Sequence, residues 1–175
     1  MSDLSRFQNA TEVQIVAEDG REFIETVSKT FWCCVDRIVS GGTETPQLLL
    51  RNPSGSGKNL FLDLTSFCVT SNISSLVVIK CYLSPTIGGT GASQSVFSGL
   101  IGGGAGSGQV FSGPTVTANG SKILTGMLTG GPSGNSLMHD LKNSVQIPAG
   151  NDLLITAFAD GTNRALSISL RWREI

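Results

Sequence analysis

Apolar and polar residues alternate along most of the chain, and an apolar repeat at helical spacing is nearly absent. The C-terminal positions are the clearest case: Leu166, Ile168, Leu170 and Trp172 interleave with Ser167, Ser169, Arg171 and Arg173. Successive side chains of a strand point to opposite faces, so this pattern predicts a strand with one buried and one wet face. Residues 152–159 read as its antiparallel partner, joined through Asp160-Gly161-Thr162-Asn163. Residues 12–18 and 21–27 flank Asp19-Gly20, a hairpin signal because both turn residues accept positive φ. Further strands are predicted over 31–39, 48–51, 60–69 and 75–83. A short helix is expected over 136–142, with Ser136 placed as its N-cap. Eight to ten short strands separated by turn signals predict an all-β antiparallel sandwich.

Residues 86–136 differ in kind, because they hold 15 of the 22 glycines. Short apolar pieces lie at 95–101, 109–117 and 122–128. Two readings stand: a mobile loop system on the sandwich, or an excursion whose backbone fits closely against a neighbouring subunit. On the second reading Val96, Phe97, Leu100, Ile101, Val110 and Phe111 are the anchors. The excursion would then be mobile in the isolated subunit and ordered on assembly, since fixing glycine costs the most backbone freedom. Residues 1–11, polar with isolated Leu4 and Phe7, read either as an arm that docks on a neighbour or as a frayed terminus. The expected organisation is that arm, then one sandwich domain over 12–175 that contains the excursion.

Composition narrows the function. Only 14% of residues are charged and the net charge is −1, against about 25% charged in a typical domain. Ser and Thr, 22 and 15 copies, supply the polarity instead. Such balance lacks the basic footprint of a nucleic-acid binder, so no nucleic-acid partner is expected. The longest aliphatic run, Leu76-Val77-Val78-Ile79, is far short of the ~20 residues that span a bilayer, so no membrane partner is expected either. The first residues show no secretory pattern, which suggests synthesis in a host cytoplasm. Cys33 and Cys34 are adjacent and would face opposite sides of a strand. Together with Cys68 and Cys81 they are read as free thiols.

Motifs that carry chemistry fail. Gly55-Ser56-Gly57-Lys58 has Asn52 where a phosphate loop needs Gly and Asn59 where it needs Ser or Thr, and a strand follows. His139 is the only histidine, expected at the surface or on a helix side, which removes multi-histidine metal sites and most nucleophile–base pairs. Seven Asp and six Glu are scattered with no pair singled out. Trp32 and Trp172 sit in strand patterns, where core or interface packing is the default. No catalytic, cofactor or metal residue is predicted, and the chain reads as a non-enzyme.

Two stretches carry a resemblance. Leu48-Leu-Leu-Arg-Asn-Pro-Ser-Gly-Ser-Gly-Lys-Asn-Leu-Phe-Leu62 resembles a hairpin common in small structural proteins of tailed bacteriophages. Val145-Gln-Ile-Pro-Ala-Gly-Asn-Asp-Leu-Leu-Ile155 resembles the start of a strand in viral jelly-roll and trimeric sandwich proteins. The resemblance implies a jelly-roll-like sandwich, a homotrimer in preference to other oligomers, and residence in the virion. It implies a capsid decoration or cement protein bound to other virion proteins such as the major capsid protein. A tail, collar or fibre-tip component and a glycan-binding jelly-roll module are the alternatives. Physical chemistry points to assembly as well: a charge-poor surface is desolvated cheaply, and interface cores are depleted in charge in the same way.

Overall fold

The computed structural model describes residues 29–69, 76–100, 103–129, 135–161 and 163–175. The expected hairpin over 12–27, the arm with Leu4 and Phe7, and Ile101 lie outside them. Eight long strands build the sandwich: β1 (Thr30–Val39), β2 (Thr45–Arg51), β3 (Leu60–Val69), β4 (Leu76–Leu83), β10 (Ser121–Thr129), β11 (Asn135–Ile147), β12 (Asp152–Ala159) and β13 (Arg164–Glu174). Five short ones fall in the glycine-rich excursion: β5 (Thr86–Gly89), β6 (Ala92–Gln94), β7 (Phe97–Ser98), β8 (Gln109–Ser112) and β9 (Thr115–Ala118). One sheet runs β11-β3-β13-β1-β7 and the other β10-β4-β12-β2-β8-β6, with β5 and β9 as a separate pair. Stripped of the short strands, each sheet has four strands whose neighbours are not consecutive in sequence. That is the jelly-roll order, and it bears out the all-β sandwich.

Alternation decides which side chains meet between the sheets. On β13, Leu166, Ile168, Leu170 and Trp172 are buried, as their pattern predicts. Phe31, Cys33, Val35 and Val39 do the same on β1, and Phe31 stacks with Trp172 at 6.2 Å between ring centroids. Leu153, Ile155, Ala157 and Ala159 close the core from β12. β12 is also buried on its other face, where Leu154 is fully covered. The excursion lies there: Pro114, Thr115, Val116 and Asn119 line one cleft with Pro46 and Thr156.

Four expectations are corrected. β12 and β13 are not partners: β12 pairs with β2 and β4, and β13 with β1 and β3, so the turn between them crosses from one sheet to the other. Residues 48–62 likewise form no hairpin, because β2 and β3 belong to different sheets. The reason is shared: a short turn brings strands close whether they pair or face each other across a core. Residues 136–142 are strand, part of β11 paired to β3 from Asn135↔Val69 onward. Ser136 is therefore no helix cap, and Leu137 and Leu141 pack on the core at period 2; pairing along a sheet edge overrides the weak local helix signal. Residues 86–129 are not an open loop but carry the five short strands, of which β7 extends one sheet, β8 and β6 extend the other, and β5 and β9 pair with each other.

Glycine is required at Gly120, which turns the chain from β9 into β10 at φ +85°. A Cβ there would collide with the carbonyl oxygen of Leu83. Gly120→Ala is therefore expected to cost about 1–3 kcal/mol in urea denaturation. Gly55→Ala, where an added Cβ meets nothing within 4 Å, should stay within about 0.5 kcal/mol. Equal effects at both positions would contradict the turn.

Candidate assembly surface

The outer face of the five-stranded sheet sets exposed aromatic rings beside small neutral side chains. Register assembles it in rows. Phe97 pairs with Trp32, Trp32 with Arg171 and Arg171 with Leu64. The next row joins Cys34, Ser169, Ser66 and Met138, and the one after it Asp36, Ser167, Cys68 and Ser136. Trp32 is 44% exposed, Phe97 54% and Met138 66%. The two rings thus stand as a ridge on β1 and β7. Small Ser and Cys side chains on β13 and β3 floor a trough beside it. A depression of about 350 Å³ lies between Trp32, Phe97, Leu64, Cys34, Ser169 and Arg171. A second, of about 460 Å³, lies on the same face among Asp36, Arg37, Ile38, Ala165 and Ser167.

Charged groups on this face are tied down or marginal. The Arg171 guanidinium meets Asp63 at 2.7 Å, Asp36 accepts a hydrogen bond from the Ser167 hydroxyl, Asp140 sits on the edge strand β11, and Arg173 lies near the end of β13. Elsewhere, too, carboxylates are engaged. Asp152 takes a two-pronged bond from Arg51 at 3.0 and 2.8 Å. Glu44 accepts from Lys80 Nζ at 2.5 Å, Tyr82 Oη at 2.9 Å and Thr156 Oγ1 at 2.5 Å. Burial alone would raise the Glu44 pKa; these three hydrogen bonds and the Lys80 charge outweigh it and hold the carboxyl below its usual range. No group of three or more His, Cys, Asp or Glu able to hold a metal ion occurs among the described residues. His139 is half-buried on β11 against Gly126, not on a helix side, and its Nε2 has no hydrogen-bond partner.

The excursion is anchored to its own domain by Glu174, whose side chain is fully buried. Its carboxylate accepts the Ser107 N–H at 2.9 Å, the Ser107 hydroxyl at 2.6 Å and the Gly108 N–H at 2.9 Å. It also takes Trp172 Nε1 and Lys58 Nζ, each at 3.3 Å. Added Cβ atoms on Gly106 and Gly108 would press on the rings of Phe31 and Trp172. These glycines therefore pack by bringing bare backbone against aromatic faces, a route to burial that needs no large side chain. Of the six anchors expected in the excursion, Val110 is buried in the chain's own core, Val96 packs against that core and Phe111 is half-buried. Phe97 and Leu100 remain exposed.

No protein-family model matches the sequence, and no curated protein does. Among solved structures, a chain of the T13 infectious bursal disease virus particle is 12% identical with a TM-score of 0.21, over 84% of this chain and 40% of that one. A chain of the Gx strain of that virus is 9% identical with a TM-score of 0.14, over 82% and 40%. This chain thus spans about 40% of the length of those it is compared with. The jelly-roll assignment rests on strand order alone.

The thiols occupy the places their alternation predicts. Cys33 and Cys81 are buried, Cys34 is exposed, Cys68 is half-buried, and all four are free. Burial pushes the Cys33 and Cys81 thiols up to about 12, which leaves almost no reactive thiolate near neutral pH. Alkylation of the native protein should spare these two, whereas denaturant should expose four labelling sites by mass. Fewer than four labels would reveal a disulfide.

Proposed function

We propose that the chain is a non-enzymatic structural component of a virion, and within that class a capsid decoration or cement protein that binds the head surface through low-charge sheet interfaces. The observation that carries this reading is the outer face of the five-stranded sheet, whose exposed Trp32 and Phe97 beside a neutral Ser and Cys floor suit a chain that assembles with other protein surfaces. A face of that composition loses little on desolvation and gains from contact. The engaged state of Glu44, Asp63, Asp152 and Glu174 supports the non-enzymatic part, since none stands free as a general acid or base. The test is a cryo-EM map of virus particles purified from the source, together with mass spectrometry of their proteins. Regular density for this chain on the head, in fixed ratio to the shell protein, is the expected result. Density at the tail or collar would replace the decoration role. Absence from the particles would overturn the reading as a whole.

A further inference from the structure

We infer that the outer face of the five-stranded sheet pairs with the same face of a second copy of this chain, about a two-fold axis. The inference goes beyond the virion reading and does not depend on it. Three observations carry it.

The first is shape. The face has an aromatic ridge, Trp32 with Phe97, and beside it a trough floored by Ser169, Ser66, Ser167 and Cys68 and bounded on its far side by exposed Met138. A surface with a ridge next to a trough complements itself when rotated by half a turn. The ridge of each copy then drops into the trough of the other, which is the isologous arrangement of a two-fold contact. The depressions of about 350 and 460 Å³ at the two ends of the β1–β13 pair give the incoming side chains room.

The second is charge. Pairing a surface with itself sets each charge near its own copy, so like charges must be absent from the middle. Here the middle row, Cys34, Ser169, Ser66 and Met138, is neutral. Arg171 is neutralised by Asp63, Asp140 lies on the edge strand, Arg173 lies at the end of β13, and Asp36 stands one row from the middle, hydrogen-bonded by Ser167.

The third is area. Four strands about 4.8 Å apart and about ten residues long make a face of about 600 Å². Two such faces bury about 1,200 Å² before the relief of the rings is added, which reaches the range of a specific interface.

The experiment is light scattering on the full chain at concentrations up to about 100 µM, with three variants. Wild type is expected at twice the 18.3 kDa chain mass. Ser169→Lys, which fills the trough with a charge, and Phe97→Ser, which removes half the ridge, should each run at the single-chain mass with unchanged circular dichroism. Thr125→Lys, on the exposed face of β10 in the other sheet, should remain a dimer. Maleimide labelling of Cys34 gives an independent readout, slow in wild type and at least tenfold faster in the two dissociated variants. A wild-type monomer overturns the proposal, whatever the labelling rate of its Cys34. A trimer also overturns it, because an isologous face closes at two. So does a dimer that survives both Ser169→Lys and Phe97→Ser. A dimer leaves contact with the head to its other surfaces, and presence on the particle is read from the map alone, so this inference and the virion reading fail separately.

Discussion

Glu174→Ala is expected to cost about 1–3 kcal/mol or more, the penalty for leaving buried hydrogen-bond donors unsatisfied. The buried carboxylate collects the N–H groups of Ser107 and Gly108, the Ser107 hydroxyl and Trp172 Nε1, and the half-exposed Lys58 ammonium reaches it from the solvent side. Truncation leaves those donors without an acceptor, and a buried donor left unpaired loses more than a made bond gains. The loss should be regional before it is global: amide exchange at Ser107 and Gly108 should accelerate in the variant even where the sandwich stays folded. Unchanged exchange there would show that Glu174 does not hold the excursion.

The same group makes stability depend on acid. Burial acts to raise the Glu174 pKa, but the hydrogen bonds from Gly108, Ser107 and Trp172 outweigh it, and the carboxyl lies below its usual range. The folded state therefore holds this proton less readily than the unfolded state, whose value is about 4.3. The stabilisation is complete above that unfolded value and is lost as the pH falls through the folded one. Glu44 is shifted the same way and adds to the slope. Denaturation midpoints measured between pH 6 and 2 should fall on acidification in the wild type, and fall less steeply in Glu174→Gln. An identical slope in the two proteins would remove Glu174 from the account.

Ile168→Ala should destabilise the protein by about 2–5 kcal/mol, the transfer and cavity cost of truncating a buried Ile. Ile168 is fully buried at the middle of β13, opposite Val35 of β1 on one side and Phe67 of β3 on the other. Both neighbours belong to the core, so the cavity is walled by packed strands that cannot close in on it. Ser169→Ala, one position along and on the outer face, should change stability by less than about 0.5 kcal/mol. A small effect at Ile168 together with a large one at Ser169 would invert the faces of the strand.

How much of this was legible in the sequence depends on the range of the physics involved. Which side of a strand is buried is a local property, because the period of two is set by the backbone itself. The inward row of β13, the opposed burial of Cys33 and Cys34, and the all-β class followed from alternation alone. The absence of a marked catalytic or metal motif was also a local reading. Pairing is different. The turns after β2 and β12 are the same kind of chemistry whether the next strand pairs alongside or crosses to the opposite sheet, and only the closing of the whole core chooses. The apolar run of β12, interrupted only by Thr156 after Asp152, was a signal for a central strand covered on both faces, but what covers it comes from residues more than thirty positions away in sequence. The glycines of the excursion showed that backbone approaches something closely, without saying that Phe31 and Trp172 of the same chain are what it approaches. Phe97 was visible as an exposed apolar candidate, whereas its ridge partner Trp32 looked no different from the buried Trp172. The sequence by itself determined the faces of the strands, the fold class and the poverty of charge. The tertiary structure alone decided the strand order, the burial of Glu174 and the meeting of Trp32 with Phe97, because each depends on contacts between segments that local alternation does not relate.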